Sequence, residues 1–169
     1  VYNRLLCLLA QKGMDISSLP KLYAPKMPED IILSNEHDVE EKLLIPLLET
    51  FNLKQGKDYK RQMGIHVGRG HRVFPDFVID YNESEESARI IIEAKYDMAT
   101  RKDVEAAFNQ ARSYALNLKT SILILCDIKG LLVFNKYGDD FNKTMYRSYA
   151  WCEIESPDSY AALKNRLCL

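Results

Sequence analysis

The spacing of apolar residues changes along the chain from a helical pattern to an extended one at about residue 59. Residues 3–13 have the spacing of a short amphipathic helix, and the segment 15–30 contains three prolines, which is typical of an irregular connector. We therefore predict an N-terminal helix and connector over residues 1–34 and a folded domain over residues 35–169, packed together as one compact domain.

A second amphipathic helix is predicted over residues 36–51, where apolar side chains recur every three or four positions. Ser34 or Asn35 can cap its first turn. Pro46 lies inside it and lacks a backbone N–H, so we expect a kink or an early end there.

The remaining chain alternates between strand patterns and two further helices. Strands are predicted at 59–66, 71–80, 88–95, 121–127, 130–136 and 148–154, with a hairpin turn at 67–70 and helices at 101–118 and 156–167. A three-strand meander followed by a helical crossover requires both antiparallel and parallel pairing. The fold class that we predict is α/β, with a central mixed β-sheet flanked by α-helices.

The stretch IIIEAKYD (90–97) ends an apolar run with two charged residues, Glu93 and Lys95. Residues two apart in a strand point to the same face, about 6.6 Å apart along the chain. The preceding strand carries Asp76 directly after Pro75, which cannot donate to a β-ladder. Asp76 can therefore reach the same site as Glu93.

Two carboxylates at this range repel each other by about 4 kcal/mol at 4 Å and an effective dielectric constant near 20. A divalent cation would relieve that repulsion, and oxygen ligands favour Mg²⁺, for which Mn²⁺ can substitute. Lys95 would then lie beside a metal-bound water. The alternative is an Asp–Lys–Glu ion network that only stabilises the strand ends.

The predicted helix 36–51 contributes a further acidic residue to the candidate site. At 100° per residue, Glu40 falls near the centre of the apolar face, Glu36 lies close to it, and Glu41 falls towards its edge. A glutamate inside an apolar stripe is expected to reach a polar site. We therefore expect Glu40 to belong to the site, with Glu36 as the alternative acid.

Gln110 and Tyr114 lie one turn apart beside the apolar face of helix 101–118. They can orient a lysine, a water or a phosphate oxygen. The competing interpretation is an exposed glutamine beside a half-buried tyrosine.

The net charge of −1 gives no support for a polyanion partner, but basic residues are concentrated between positions 54 and 72. Arg61, Arg69 and Arg72 belong to this stretch, which is either a solvated surface or a phosphate-binding rim beside the metal site. No window is apolar for long enough to span a bilayer. The four cysteines show no metal-binding spacing, which favours free thiols in a reducing cytosol and a cytoplasmic protein.

The order of FPDFVI, IIIEAK and QARSYA after a glutamate-bearing helix resembles the PD-(D/E)xK nuclease superfamily, and in particular the N-terminal nuclease domain of type I restriction enzyme motor subunits. The resemblance covers roughly residues 35–135. It implies a restriction-endonuclease-like core in which Asp76, Glu93 and the Ala94 carbonyl hold Mg²⁺, and Lys95 is catalytic. Glu40, Gln110 and Tyr114 would complete the catalytic set.

The function expected from this resemblance is Mg²⁺-dependent cleavage of DNA in a type I restriction system. The sequence contains no helicase motor, so translocation would need a further region or a partner subunit. Because the chain begins at Val1, we expect a piece of a longer protein. The alternative function is a nucleic-acid-binding module with the same fold and little or no cleavage.

Overall fold

The computed structural model describes residues 31–67 and 71–168, which form a central six-stranded mixed β-sheet with helices against both faces. The strands are β1 (Tyr59–Arg61), β2 (Ile65–Val67), β3 (His71–Val73), β4 (Phe77–Asn82), β5 (Ser87–Ala94), β6 (Ile122–Asp127), β7 (Gly130–Tyr137) and β8 (Asp140–Ala150). The helices are α1 (Glu36–Val39), α2 (Ile45–Thr50), α3 (Arg101–Asn117), α4 (Trp151–Ile154) and α5 (Pro157–Leu167). The predicted helix 3–13, the connector 15–30 and residues 68–70 of the predicted turn lie outside the described residues.

The sheet has the order β1-β4-β5-β6-β7-β8. Only β5 and β6 pair in parallel, and α3 makes the crossover between them; every other pair in this sheet is antiparallel. The prediction of a mixed sheet flanked by helices is therefore confirmed. Strand β5, which is buried over most of its length, lies inside the sheet between β4 and β6.

The first two predicted strands are each divided in two. Within 59–66, Gln62 adopts a positive φ of 44°, which ends β1 before β2 begins. Within 71–80, pairing stops at Pro75, as its missing N–H predicts. Strands β2 and β3 consequently form a separate two-stranded sheet, while β1 and β4 pair in the main sheet.

The last predicted strand, 148–154, is wrong at both ends. Strand β8 already begins at Asp140, and the chain becomes helical at Trp151, whose indole N–H donates to the Asp127 carbonyl at 2.8 Å. Residues 142–148 are all exposed, because β8 is an edge strand whose middle is uncovered. A strand exposed on both faces has no apolar alternation, so periodicity could not locate it.

Residues 36–50 form one continuous helical unit, called here the glutamate helix. It consists of α1, a π-helical segment (Glu40–Leu44) and α2. Asn35 caps it by accepting a hydrogen bond from the Asp38 N–H at 2.9 Å. The π-helical segment ends just before Pro46, which cannot donate to a carbonyl of the preceding turn. The predicted disturbance at Pro46 therefore takes the form of a π-helical segment on its N-terminal side.

Alternating side chains of the sheet build two cores. Phe77, Ile79, Ile90, Ile92 and Ile124 pack with the glutamate helix, α4 and α5. The intervening side chains Val78, Ile91, Leu123 and Leu125 pack against α3. The glutamate helix is therefore held on one face of the sheet, beside the ends of β4 and β5. Among the described helices, none has the length and apolar character needed to cross a membrane.

Candidate functional site

The start of β4 and the end of β5 bring the predicted acid and lysine residues together. Phe77 pairs with Ile92, so the next step along the ladder places Asp76 beside Glu93. Pairing of the two backbones ends at this step, and the Asp76 carboxylate takes over by accepting a hydrogen bond from the Ala94 N–H at 2.8 Å. The side chain of Asp76 is thereby fixed against the end of β5.

Glu93 and Lys95 face the same site, as strand geometry predicts. The Lys95 ammonium lies 2.9 Å from Glu93 Oε1 and 3.5 Å from Glu36 Oε2. Glu93 is only 1% exposed, and its Oε2 has no hydrogen-bond partner within the described part of the chain. Leaving a buried carboxylate oxygen unpaired costs free energy, so this atom marks a position where a ligand would be stabilised.

The electrostatics of the site follow from burial. Burial raises the pKa of the Asp76 carboxyl to about 6, against the lowering effects of the Ala94 hydrogen bond and the Lys95 charge. Burial, followed by the charge of Asp76, raises the pKa of Glu93 to about 7. Burial acts to lower the pKa of Lys95, but the hydrogen bond and charge of Glu93 outweigh it and raise that pKa. The site therefore holds a charged ammonium between acids that ionise near neutral pH.

The glutamate helix adds two carboxylates to the site. Glu36, Glu40 and Asp76 each offer an oxygen within 4.8 Å of the other two. Opposite ligands of an octahedral Mg²⁺ ion are roughly 4.2 Å apart, so small side-chain movements would let these oxygens share one ion. Glu93 is not a member of this group, and its predicted role as a ligand beside Asp76 stays a prediction.

Arg61 balances the acids of the helix. Its guanidinium lies 2.7 Å from Glu40 Oε2 and 2.6 Å from Glu41 Oε1, and it packs over the Phe77 ring. Glu40 is 4% exposed, whereas Glu41 is exposed, which confirms the predicted orientation of the helix. Arg61 was predicted to contact nucleic acid, but here it is an ion-pair partner of the helix acids.

Gln110 and Tyr114 are paired with each other rather than with the acids. The Gln110 amide donates to the Tyr114 hydroxyl at 3.1 Å. Within residues 31–67 and 71–168, neither side chain makes a hydrogen bond to Asp76, Glu93 or Lys95. Their predicted accessory role stays a prediction.

Of the other predicted basic contacts, Arg72 lies on the hairpin of β2 and β3. Arg72 is exposed on β3 and donates to His66 Nε2 at 3.3 Å. Arg69 lies outside the described residues. Of the two described members of the predicted basic set, Arg61 on β1 contacts the acid cluster, whereas Arg72 has no recorded contact with it.

Asp127, which is not among the predicted site residues, supports the loop after Lys95. This buried carboxylate accepts hydrogen bonds from the N–H groups of Met98, Lys129 and Gly130 at 3.0, 2.8 and 3.2 Å. It thereby ties the β6–β7 turn to the chain that leaves β5. An aspartate three residues before a glycine at the end of an apolar strand is a recognisable signal for such a turn.

Comparison of the chain with family models, curated proteins and solved structures found no significant match in any of the three. The chemistry of the acid–lysine cluster is therefore the basis for assigning a function. The donors of Glu36, Glu40 and Asp76 are carboxylate oxygens, as is the neighbouring Glu93 Oε2, which is buried and has no hydrogen-bond partner among the described residues. This donor set fits a hard divalent cation better than a soft one.

Proposed function

We propose that the chain is a Mg²⁺-dependent endonuclease domain that hydrolyses phosphodiester bonds in DNA. The observation that carries the proposal is the convergence of Asp76, Glu93 and Lys95 at the adjoining ends of β4 and β5, with Glu36 and Glu40 facing them from the glutamate helix. The same residues stand in the positions that suggested the PD-(D/E)xK superfamily, so a restriction-endonuclease-like core is part of the proposal.

In this proposal the acids hold the cation, and Lys95 stabilises negative charge on the phosphate. Asp76, Glu36 and Glu40 would hold Mg²⁺, with Glu93 Oε2 and the Ala94 carbonyl as further oxygen donors. When bound, the ion would polarise the scissile phosphate and make a bound water more acidic. Lys95 remains charged because two carboxylates flank it, and its ammonium can donate to a phosphate oxygen on which negative charge accumulates.

The restriction context is a separate part of the proposal and rests on the resemblance. A type I restriction nuclease domain acts together with a DNA-translocating motor, which would here be supplied by a longer chain or by a partner subunit. DNA is proposed as the substrate on the same ground.

The deciding experiment is plasmid nicking by the purified chain in Mg²⁺ or Mn²⁺ compared with EDTA. The matched pair of variants is Lys95→Ala and Lys143→Ala, because both lysines are ion-paired with glutamates but Lys143 lies on β8, away from the site. We expect nicking that needs the metal, is abolished by Lys95→Ala and is retained by Lys143→Ala. Equal nicking by Lys95→Ala would refute the assignment.

A binding module without cleavage is the second candidate. One observation bears against a need for metal: both cations described at the site are already ion-paired with its acids, Lys95 with Glu93 and Glu36, and Arg61 with Glu40 and Glu41. Retention of DNA with no metal-dependent nicking under any of these conditions would support this candidate.

A further inference from the structure

Two large aromatic side chains are exposed directly beside the acid–lysine cluster. Phe74 precedes Asp76 by two residues and is 53% exposed, and Tyr96 follows Lys95 and is 41% exposed. Residues one or two positions apart have Cα atoms within about 7 Å of each other. The two residues therefore adjoin the site along the chain, Phe74 on the segment that leads into β4 and Tyr96 on the segment that leaves β5.

Both rings are supported by the backbone around them. A β-carbon at Gly64 would lie 3.1 Å from Phe74 Cε1, so the Phe74 ring packs closely over Gly64 and would have to shift by a few tenths of an ångström to admit a side chain there. The Tyr96 hydroxyl donates to the Leu33 carbonyl at 3.2 Å, which ties the ring to the segment before the glutamate helix. Each ring is thus contacted on one side and open to solvent elsewhere.

The cations described next to the site are ion-paired, which favours recognition of nucleic acid through its bases rather than through its phosphates. Lys95 and Arg61 are paired with glutamates, and Lys129 Nζ lies 2.5 Å from Asp97 Oδ1 in the loop that follows Tyr96. The whole chain carries a net charge of −1. Attraction of a polyanionic backbone by these three paired cations is consequently a weak source of affinity, whereas stacking of bases on aromatic rings needs no free cation.

We propose that Phe74 and Tyr96 stack on unpaired bases next to the scissile phosphate, so that the site takes a single-stranded segment of DNA. This inference rests on the proposed nuclease function and specifies its substrate. The faces of duplex bases are covered by their neighbours, so exposed aromatic rings beside the site can be used only by bases that have left the stack.

The test is equilibrium binding, followed by fluorescence anisotropy, of a labelled 20-nucleotide single strand and of a duplex of the same sequence and length. Ca²⁺ is used as the hard cation, and a gel confirms that the oligonucleotides stay intact. Phe74→Leu and Tyr96→Leu keep apolar bulk but remove the ring. Tyr96→Phe keeps the ring, and Tyr137→Leu is the control, because Tyr137 is 56% exposed at the far end of β7, away from the site.

We expect tighter binding of the single strand than of the duplex, with a shallow dependence on salt concentration. Phe74→Leu and Tyr96→Leu should each weaken single-strand binding roughly 5- to 150-fold, the range measured for loss of one stacked base. Tyr96→Phe and Tyr137→Leu should bind as the unsubstituted protein does. Circular dichroism melting of every variant establishes that the fold is retained.

Two results would overturn the inference. If the duplex binds as tightly as the single strand, or if both leucine variants bind normally while plasmid nicking still requires Lys95, the stacking role is wrong and the nuclease function stands. If no nucleic acid binds and no metal-dependent nicking occurs, the proposed function fails and the stacking role fails with it.

Discussion

Replacing Glu93 by glutamine tests whether a buried carboxylate at this site costs stability when no metal is bound. Burial and the nearby Asp76 raise the pKa of Glu93 from an ordinary value of 4.5 to about 7. The difference corresponds to about 3 kcal/mol of unfolding free energy, at roughly 1.36 kcal/mol per pH unit. The side chain is 2% exposed, so screening by solvent removes little of this energy.

The sign of the effect follows from proton binding. Because the folded protein holds the Glu93 proton more tightly than the unfolded chain, this carboxyl contributes stability that is fully present below about pH 4.5 and is lost as the pH rises through about 7. Glutamine keeps the shape and does not titrate. The stability of Glu93→Gln relative to the unsubstituted protein should therefore rise by about 3 kcal/mol between pH 4.5 and pH 8.

The measurement is urea denaturation in EDTA, followed by circular dichroism at pH 5, 6, 7 and 8. Glu83→Gln serves as the control for the same substitution at a surface position, because Glu83 is exposed in the loop between β4 and β5. A flat difference for Glu93→Gln would refute the reasoning, since it would mean that the Lys95 ion pair compensates fully for the burial of the carboxylate.

Millimolar Mg²⁺ should raise the melting temperature of the unsubstituted protein, because an ion at ten times its dissociation constant adds about 1.4 kcal/mol to the free energy of unfolding. Asp76→Asn should abolish this gain, and an equal gain in the variant would exclude Asp76 as a ligand. Glu40→Gln should reduce metal-dependent nicking strongly and Glu41→Gln only slightly, because Glu40 is buried in the cluster whereas Glu41 is exposed. A larger loss with Glu41→Gln in a side-by-side assay would contradict the assignment of Glu40 to the site. Arg61→Ala should cost about 3–5 kcal/mol in urea denaturation at pH 7, because it leaves buried Glu40 without its partner, and the cost should shrink in the Glu40→Gln background.

The core of the candidate site could be predicted from the sequence because strand geometry is local. The apolar run of β5 and the two-residue spacing of Glu93 and Lys95 require both side chains to face one site, and the short connection from β4 requires Asp76 to lie on the neighbouring strand. Pro75 shows where pairing of the two strands stops. These facts depend only on neighbours in sequence and on a period of two residues.

The burial of Glu40 was also predictable, because helical periodicity places it in the apolar face of the first helical turns. Its ion-pair partner, Arg61, could not be predicted from the sequence. The pairing with Arg61 depends on how the glutamate helix lies across the sheet and on β1 being paired to β4 rather than to the strand next to it in sequence. Sequence periodicity contains no information about that relative placement.

Tertiary structure likewise decided the contact between Lys95 and Glu36, the separate β2–β3 hairpin and the position of β8. The middle of β8 is exposed on both faces, so its residues lack the alternation that reveals a strand. Local sequence thus determined which charged side chains meet where β4 and β5 adjoin, since covalent geometry fixes their spacing. Only the packing of helix on sheet decided which of those charges are neutralised, because ion pairing between elements depends on distances that the chain's own period does not set.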